Sequence, residues 1–240
     1  MTPEQRRQYD EIQKLPFHKK TATSPKTTNN HIEKLLNQLN VEFDPEIIPV
    51  RVEPEAKTKS CYYNVEEKMK RDGGKIHYGW AIWQSQYLCE AEHHSVWEDN
   101  EGELVCVTPR EQRYDKIMFV PDNNRVYKGV SISNVALNIS GNPLIDDFIK
   151  IRYAICKLYE YGERKDVEVV VLPKCANDAI TECDITSGAI EVFYLLGNKP
   201  TSNCYCRSLK PYRQCHGKDI DKKLQYCLSK VKQTIEEHTR

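Results

Sequence analysis

Apolar residues recur along this chain with two periods, and the switches between them divide it into predicted helices and strands. Ile32, Leu35, Leu36 and Leu39 lie three or four positions apart, which predicts a helix over 31–40 with one apolar stripe against a core. A second helix is announced by Thr58 or Ser60, either of which can accept from free backbone donors, is continued by Val65 and Met69, and stops at Gly73-Gly74. The period then changes. Ile76, Tyr78, Trp80 and Ile82 alternate, and the run from Gln86 to Trp97 follows as a second strand. Glu98 to Gly102 is a hairpin signal before the short run ELVCVTP, in which Leu104, Cys106 and Thr108 share a face, and Lys116 to Pro121 supplies a further strand. The segment 41–55, with three prolines, is expected to be an extended edge element.

Helical spacing returns at Asn142, a cap followed by Pro143, where Leu144, Ile145, Phe148, Ile149, Ile155, Leu158 and Tyr159 form a wide apolar face. The stretch Val167 to Leu172 is a strand candidate, and 176–196 fits either helix or strand. Ile220, Leu224, Cys227, Leu228, Val231 and Ile235 mark an amphipathic C-terminal helix. At the other end, Thr2 and Pro3 open a short polar helix to residue 15, and Lys19 to Asn30 reads as a linker. The expected architecture is α+β, an antiparallel sheet with a packed, cysteine-bearing helix. It is divided into an N-terminal helix and linker (1–30), a core domain (31–200) and a tail with the last helix (201–240).

Charge excludes one class of function. The 35 basic and 35 acidic residues cancel, so no global field steers the chain to nucleic acid or an anionic membrane, and nucleic acid is not expected as a main ligand. No apolar run approaches eighteen residues and the N-terminus is polar, which argues against a membrane span or a secretion signal. Of ten cysteines, three cluster with a histidine and the others are dispersed through predicted helices and strands. A reducing, cytoplasmic setting is therefore expected rather than a disulfide framework.

Two constellations carry candidate chemistry. In the first, Cys61 falls at a predicted helix N-terminus, where unpaired N–H groups and the helix dipole favour the thiolate, and His94 lies on a strand that follows. Cys61, His94 within HHSVW, and the run GELVCVTP resemble the core of transglutaminase and papain-like enzymes. The resemblance implies Cys61 as nucleophile, His94 as general base and the helix-start donors as an oxyanion site, in a peptidase, deamidase or acyl-transferase acting on an amide or thioester. Where that pattern has an Asp to hold the histidine, this chain has Cys106, a poor acceptor, so Asn64, Asp99 or Asn100 is left to orient the imidazole. His93 and His94 point to opposite faces of the strand. The HxxW pattern favours His94, whereas alternation alone groups His93 with Cys89, Ala91 and Trp97. The bland reading makes both histidines satisfied core or surface residues and Cys61 a small buried side chain. A further reading gathers Cys61, Cys89, His94 and Cys106 around a metal.

The second constellation runs from Cys204 to Gly217. Cys204 and Cys206 are separated by one residue, and Cys215 with the adjacent His216 follows, which supplies four ligands of a closed tetrahedral site with no position open for substrate. It resembles the SEC-C motif, the small zinc-binding tail of many SecA proteins. Taken with Cys61 and Asn64, the Gly73-Gly74 and Gly79-Trp80 pairs, EAEHHSVW, Val107 to Pro109 and KIMFVPD, it is similar to a group of bacterial zinc-chelation proteins carrying that tail. The resemblance implies Zn2+ on Cys204, Cys206, Cys215 and His216. It also implies docking of a protein or ribonucleoprotein partner, for which Lys210, Tyr212 and Arg213 offer a basic, aromatic-containing face. The family often has Gly after the second Cys, where this chain has Arg207. Two functions are thus expected from sequence, a zinc-binding protein with a cysteine-hydrolase core or a non-catalytic adaptor that docks through its zinc tail.

Overall fold

A computed structural model describes residues 22–130, 132–164 and 169–238, and over them the chain is α+β, with an antiparallel sheet and helices. The expected helix over 2–15 lies outside the described residues. The chain forms two units, one spanning Ala22–Ile139 and the other built from Ser140–Glu163 and the residues from 170 onward. The units therefore divide near 140, not at the expected 200, and the long helix after Asn142 belongs with the tail.

In the first unit, helix α1 (Asn30–Leu39) forms because Asn29 caps it, its side-chain oxygen accepting from the His31 and Ile32 amides at 2.9 and 3.2 Å. Its buried stripe of Ile32, Leu35 and Leu39 is the one the spacing predicts. Asn40 ends it at φ 54, a left-handed conformation that Asn tolerates better than most residues. Helix α2 (Cys61–Asp72) starts without a side-chain cap. Ser60 stands at the cap position, but its hydroxyl donates to the Thr58 carbonyl instead.

The strands are β1 (Glu46–Pro49), β2 (Lys75–Gln84), β3 (Leu88–Glu98), β4 (Leu104–Val105), β5 (Lys116–Pro121) and β6 (Val135–Asn138). Their order is β1-β5-β2-β3-β4, all antiparallel, with β6 also on β3. Strand β6 covers Leu88 to Ala91 and β4 covers Trp97 and Glu98, so the backbone of β3 from Glu92 to Val96 has no strand beside it on that edge among the described residues. The two ends of the order meet. Val50 and Cys106 form a parallel bridge in which the Arg51 amide donates to the Cys106 carbonyl at 2.9 Å and the Cys106 amide to the Pro49 carbonyl at 3.0 Å. The sheet thus closes on itself as a small barrel.

Strand alternation then sorts the side chains. Ile48, Ala81, Trp83, Val96, Cys106, Ile117 and Phe119 form the inner cluster. On the outer face, α1 packs over Trp80, Ile82, Ala91 and Met118, and Val65 of α2 packs over Val105 and Val107. Gly79 in β2 is flanked by β3 and β5, and a Cβ there would stand 2.1 Å from the Val120 carbonyl oxygen. Part of the expected linker is ordered against this sheet. Thr23 exchanges backbone hydrogen bonds with Gln84 at 3.0 and 2.9 Å, and the Ser24 hydroxyl accepts from the Met118 amide at 2.7 Å.

The second unit is helical. Helix α3 (Pro143–Tyr159) opens with the Asn142 side chain accepting from the Leu144 amide at 3.1 Å and with Pro143 in the first turn, as the sequence predicts. The stretch 176–196, ambiguous in sequence, is helix α4 (Lys174–Leu195), with Ala176, Ile180, Cys183, Ser187 and Ile190 buried along one side. Of Val167 to Leu172, Val170–Val171 is strand. Helix α5 (Ile220–His238) closes the unit, and the segment between α4 and α5 joins the same core through Cys204 and Tyr212. No helix among the described residues is long and apolar enough to cross a membrane.

Candidate metal centre

The ligand-bearing segment is too short for a core of its own and is shaped by backbone hydrogen bonds. The Cys204 amide donates to the Lys210 carbonyl at 2.8 Å, the Tyr212 amide to the Ser202 carbonyl at 2.9 Å, and the Cys215 and Gly217 amides both to the Tyr212 carbonyl at 2.9 Å. The turns that bring Cys206 back toward Cys215 hold Arg207 at φ 62 and Leu209 at φ 60, both in the left-handed region.

The outcome is convergence of four soft donors. The ligand atoms of Cys204, Cys206, Cys215 and His216 all lie within 4.8 Å of one another. Nδ1 of His216 is 3.2 Å from Cys204 Sγ and 3.5 Å from Cys215 Sγ, and Cys206 Sγ is 3.5 Å from Cys215 Sγ. A tetrahedral ion with metal–sulfur bonds of about 2.3 Å and metal–nitrogen bonds of about 2.0 Å places its ligand atoms about 3.5 to 3.8 Å apart. The cluster can therefore hold a metal with small adjustment. The Ser208 hydroxyl, followed by the neighbouring thiols, holds the Cys206 thiol down to about 7, so thiolate is accessible near neutral pH.

The support around the ligands was not legible in the motif. Tyr212 is 1 % exposed and anchors the loop on α3 by donating from its hydroxyl to Asp147 Oδ2 at 3.1 Å. Gly217 permits this, because a Cβ there would lie 2.3 Å from Cε1 of the Tyr212 ring. Tyr205 packs its ring 4.7 Å from the His216 ring, and Lys223 Nζ donates to the Cys215 and His216 carbonyls at 3.4 and 3.3 Å.

The other constellation is assembled differently from the sequence expectation. Cys61 begins α2, as expected, but it is buried and faces Ser95 at the uncovered edge of β3. Burial pushes its thiol up to about 11, and the backbone of Ser95 offsets this only in part. Desolvation thus outweighs the helix N-terminus. His94 is 1 % exposed, and its alternation partner Val96 and its ring contact Cys106 both belong to the inner cluster of the barrel. Its Nε2 lies 3.3 Å from Cys106 Sγ, its Nδ1 has no partner among the described residues, and burial, then Arg110, keeps the imidazole well below its ordinary pKa. No hydrogen bond joins Cys61 to His94. Asn64 accepts from the Lys57 amide at 2.9 Å and donates to the Lys57 carbonyl at 2.8 Å and to Thr108 Oγ1 at 3.0 Å, which fixes the entry to α2 and touches neither ring nor thiol. Asp99 accepts from the Glu101 and Glu103 amides within the hairpin turn.

His93 is the histidine beside α2. The Tyr62 hydroxyl, one residue after Cys61, donates to His93 Nδ1 at 2.7 Å, and Nε2 of His93 donates to the Arg125 carbonyl at 2.7 Å. With one acceptor and one donor nitrogen used, the ring is a neutral tautomer, and burial lowers its pKa accordingly. Among the described residues, Cys204, Cys206, Cys215 and His216 are the one group of at least three His, Cys, Asp or Glu side chains able to share an ion, so Cys61, Cys89, His94 and Cys106 do not converge on a second metal. Comparison with known proteins gives no match to a family model, to a curated protein or to a solved structure.

Proposed function

We propose that this protein is a zinc-binding scaffold, in which Zn2+ held by Cys204, Cys206, Cys215 and His216 organises the segment between α4 and α5 and presents it to a partner. The convergence of four soft donors at near-tetrahedral separations carries this reading. Three thiolates and one imidazole suit Zn2+ over the hard, oxygen-seeking cations and fill a tetrahedron, so the ion's role is structural. In that role metal affinity becomes folding energy, on the order of 10 kcal/mol for small zinc modules.

The partner reading rests on charge placement. Nine basic and two acidic residues lie between Lys199 and Lys232, in a chain whose net charge is zero. Arg207, Lys210, Arg213, Lys218 and Lys222 are exposed and form no ion pair among the described residues, and Leu209 is 81 % exposed among them. A protein or ribonucleoprotein with an acidic surface complements such a face.

The test is metal stoichiometry with cobalt substitution. One Zn2+ per chain is expected by elemental analysis, and Co2+ in its place should give the intense visible bands of a tetrahedral thiolate site. Cys204→Ser and His216→Ala should each weaken binding; retention of full metal content in both would defeat the proposal. For the docking face, charge reversal at Arg207, Lys210 and Arg213 should lower the salt concentration that elutes the protein from heparin while metal content is unchanged. No geometric observation favours a cysteine hydrolase on Cys61 and His94, since the thiol is sealed against Ser95 and the imidazole is engaged with Cys106.

A further inference from the structure

The unit that contains the sheet holds a cation whose hydrogen-bonding capacity is not used up. The segment joining β4 to β5 runs beside the residues that follow β1, and between them is a cleft of about 340 Å³. Val50, Val52 and Pro109 supply its apolar wall, and Thr108, Arg110 and Arg113 its donors. The Arg110 side chain is 20 % exposed, and two contacts fix its guanidinium. Nη1 donates to Glu92 Oε2 at 2.8 Å, the same oxygen that accepts from Trp83 Nε1 at 2.7 Å, and the guanidinium carbon stands 4.2 Å from the centre of the Trp83 ring. The remaining edge, Nε with Nη2, is buried and has no partner among the described residues. Two unpaired donors on a buried charged group are costly, and this edge offers two parallel N–H bonds at the spacing of two oxygens on one carbon.

We propose that Arg110 anchors a binding site for a small organic carboxylate. The two carboxylate oxygens accept from Nε and Nη2, and the body of the ligand lies along the apolar wall. Thr108 is 3 % exposed, and its Oγ1 already accepts from Asn64 at 3.0 Å, so its proton is left to donate. Arg113, exposed in the same lining, adds a second positive charge. A planar monoanion is favoured over a phosphate dianion, because Glu92 offsets part of the Arg110 charge and Asp115 also lines the cleft. The ion pair and the ring hold the guanidinium in place beforehand, which lowers the ordering that binding requires. Since Nε and Nη2 are screened from solvent, entry involves a rotamer change in the lining, for which the long, exposed side chains of Gln112 and Arg113 are suited.

The experiment titrates the full chain with sodium benzoate, with benzamide as the neutral isostere and inorganic phosphate as the competing anion, and follows the Arg110 Nε–H resonance by proton–nitrogen NMR. Benzoate should shift that resonance saturably, and benzamide should bind at least about tenfold more weakly, having lost the charge and one acceptor. Arg110→Lys keeps the charge and removes the fork, and should weaken benzoate about tenfold. Arg113→Gln changes an exposed position and should weaken it about twofold, which keeps a variant readout if Arg110→Lys does not fold. The wild-type titration decides by itself. The absence of a saturable shift with benzoate, equal binding of benzamide, or tighter binding of phosphate than of benzoate would overturn the proposal.

Discussion

At the scale of residues, the candidate metal ligands and their supports differ in how openly the sequence carried them. The four were readable because coordination demands particular atoms at particular separations, and Cys204, Cys206, Cys215 and His216 do converge into a cluster that could hold a metal. The Tyr212–Asp147 anchor was not, since it joins residues sixty-five positions apart through packing alone. Gly217→Ala tests that anchor: a methyl driven into the buried Tyr212 ring should cost about 1–3 kcal/mol in denaturant unfolding followed by far-UV circular dichroism. Arg207 supplies a test of opposite sign. Held at φ 62, in the left-handed region that Gly enters without steric cost, it should yield about 1 kcal/mol of stability on change to Gly, read as a higher denaturation midpoint.

The two adjacent histidines also make a residue-scale prediction. Burial lowers the folded-state pKa of both His93 and His94, so below about 6.5 the unfolded chain binds more protons than the folded one. Their contribution to stability is complete above that pH and is lost as the pH falls, by about 1.4 kcal/mol per pH unit for each ring that stays neutral. Urea midpoints followed by tryptophan emission should therefore decline between pH 7 and pH 5, and less steeply in His93→Gln. A flat wild-type profile would show that the rings accept protons without unfolding.

At the scale of elements, spacing located α1, α2, α3, α5 and the strands β2, β3 and β5, because each carries one uninterrupted period with a stop or a cap beside it. Helix α4 escaped since its apolar residues are mixed with Thr181, Ile185 and Thr186, which favour strands in isolation. The helical core decides it, and the hydroxyls of Thr181 and Thr186 are satisfied by carbonyls one turn back, those of Asn177 and Glu182. Barrel closure was also invisible, as one bridge at Val50 and Cys106 carries it and no periodicity records a bridge. Closure turns one face of β3 inward, and with it His94, which is why the Cys61 and His94 pairing suggested by motif order does not form. Gly79→Ala examines the sheet directly: a Cβ facing the Val120 carbonyl has nowhere to go between two paired strands, and a loss of about 2–4 kcal/mol in tryptophan-monitored unfolding is expected.

At the scale of the whole molecule, composition suggested neutrality and the structure distributes it unevenly, with the unit that contains the candidate metal cluster holding the basic segment from Lys199 to Lys232. The chain's three tryptophans, Trp80, Trp83 and Trp97, all belong to the unit that contains the sheet, whereas the ligands belong to the helical unit. A chelator should therefore reduce helical circular dichroism and lower its thermal midpoint while leaving the tryptophan emission maximum in place. A parallel shift of both signals would place the metal's influence beyond its own unit.

The pairing of Glu46 with Phe119 bears on how the chain can be made. Emerging from a ribosome, β1 lacks the strand it is registered with until β5 has been translated, and until then the inner cluster that receives Ile48 is without Ile117 and Phe119. The nascent chain must carry that exposed stretch through most of the synthesis of its first unit. Release or pausing before Pro121 would leave a sheet with an open seam, and chains stalled there should be those that chaperones capture or that aggregate.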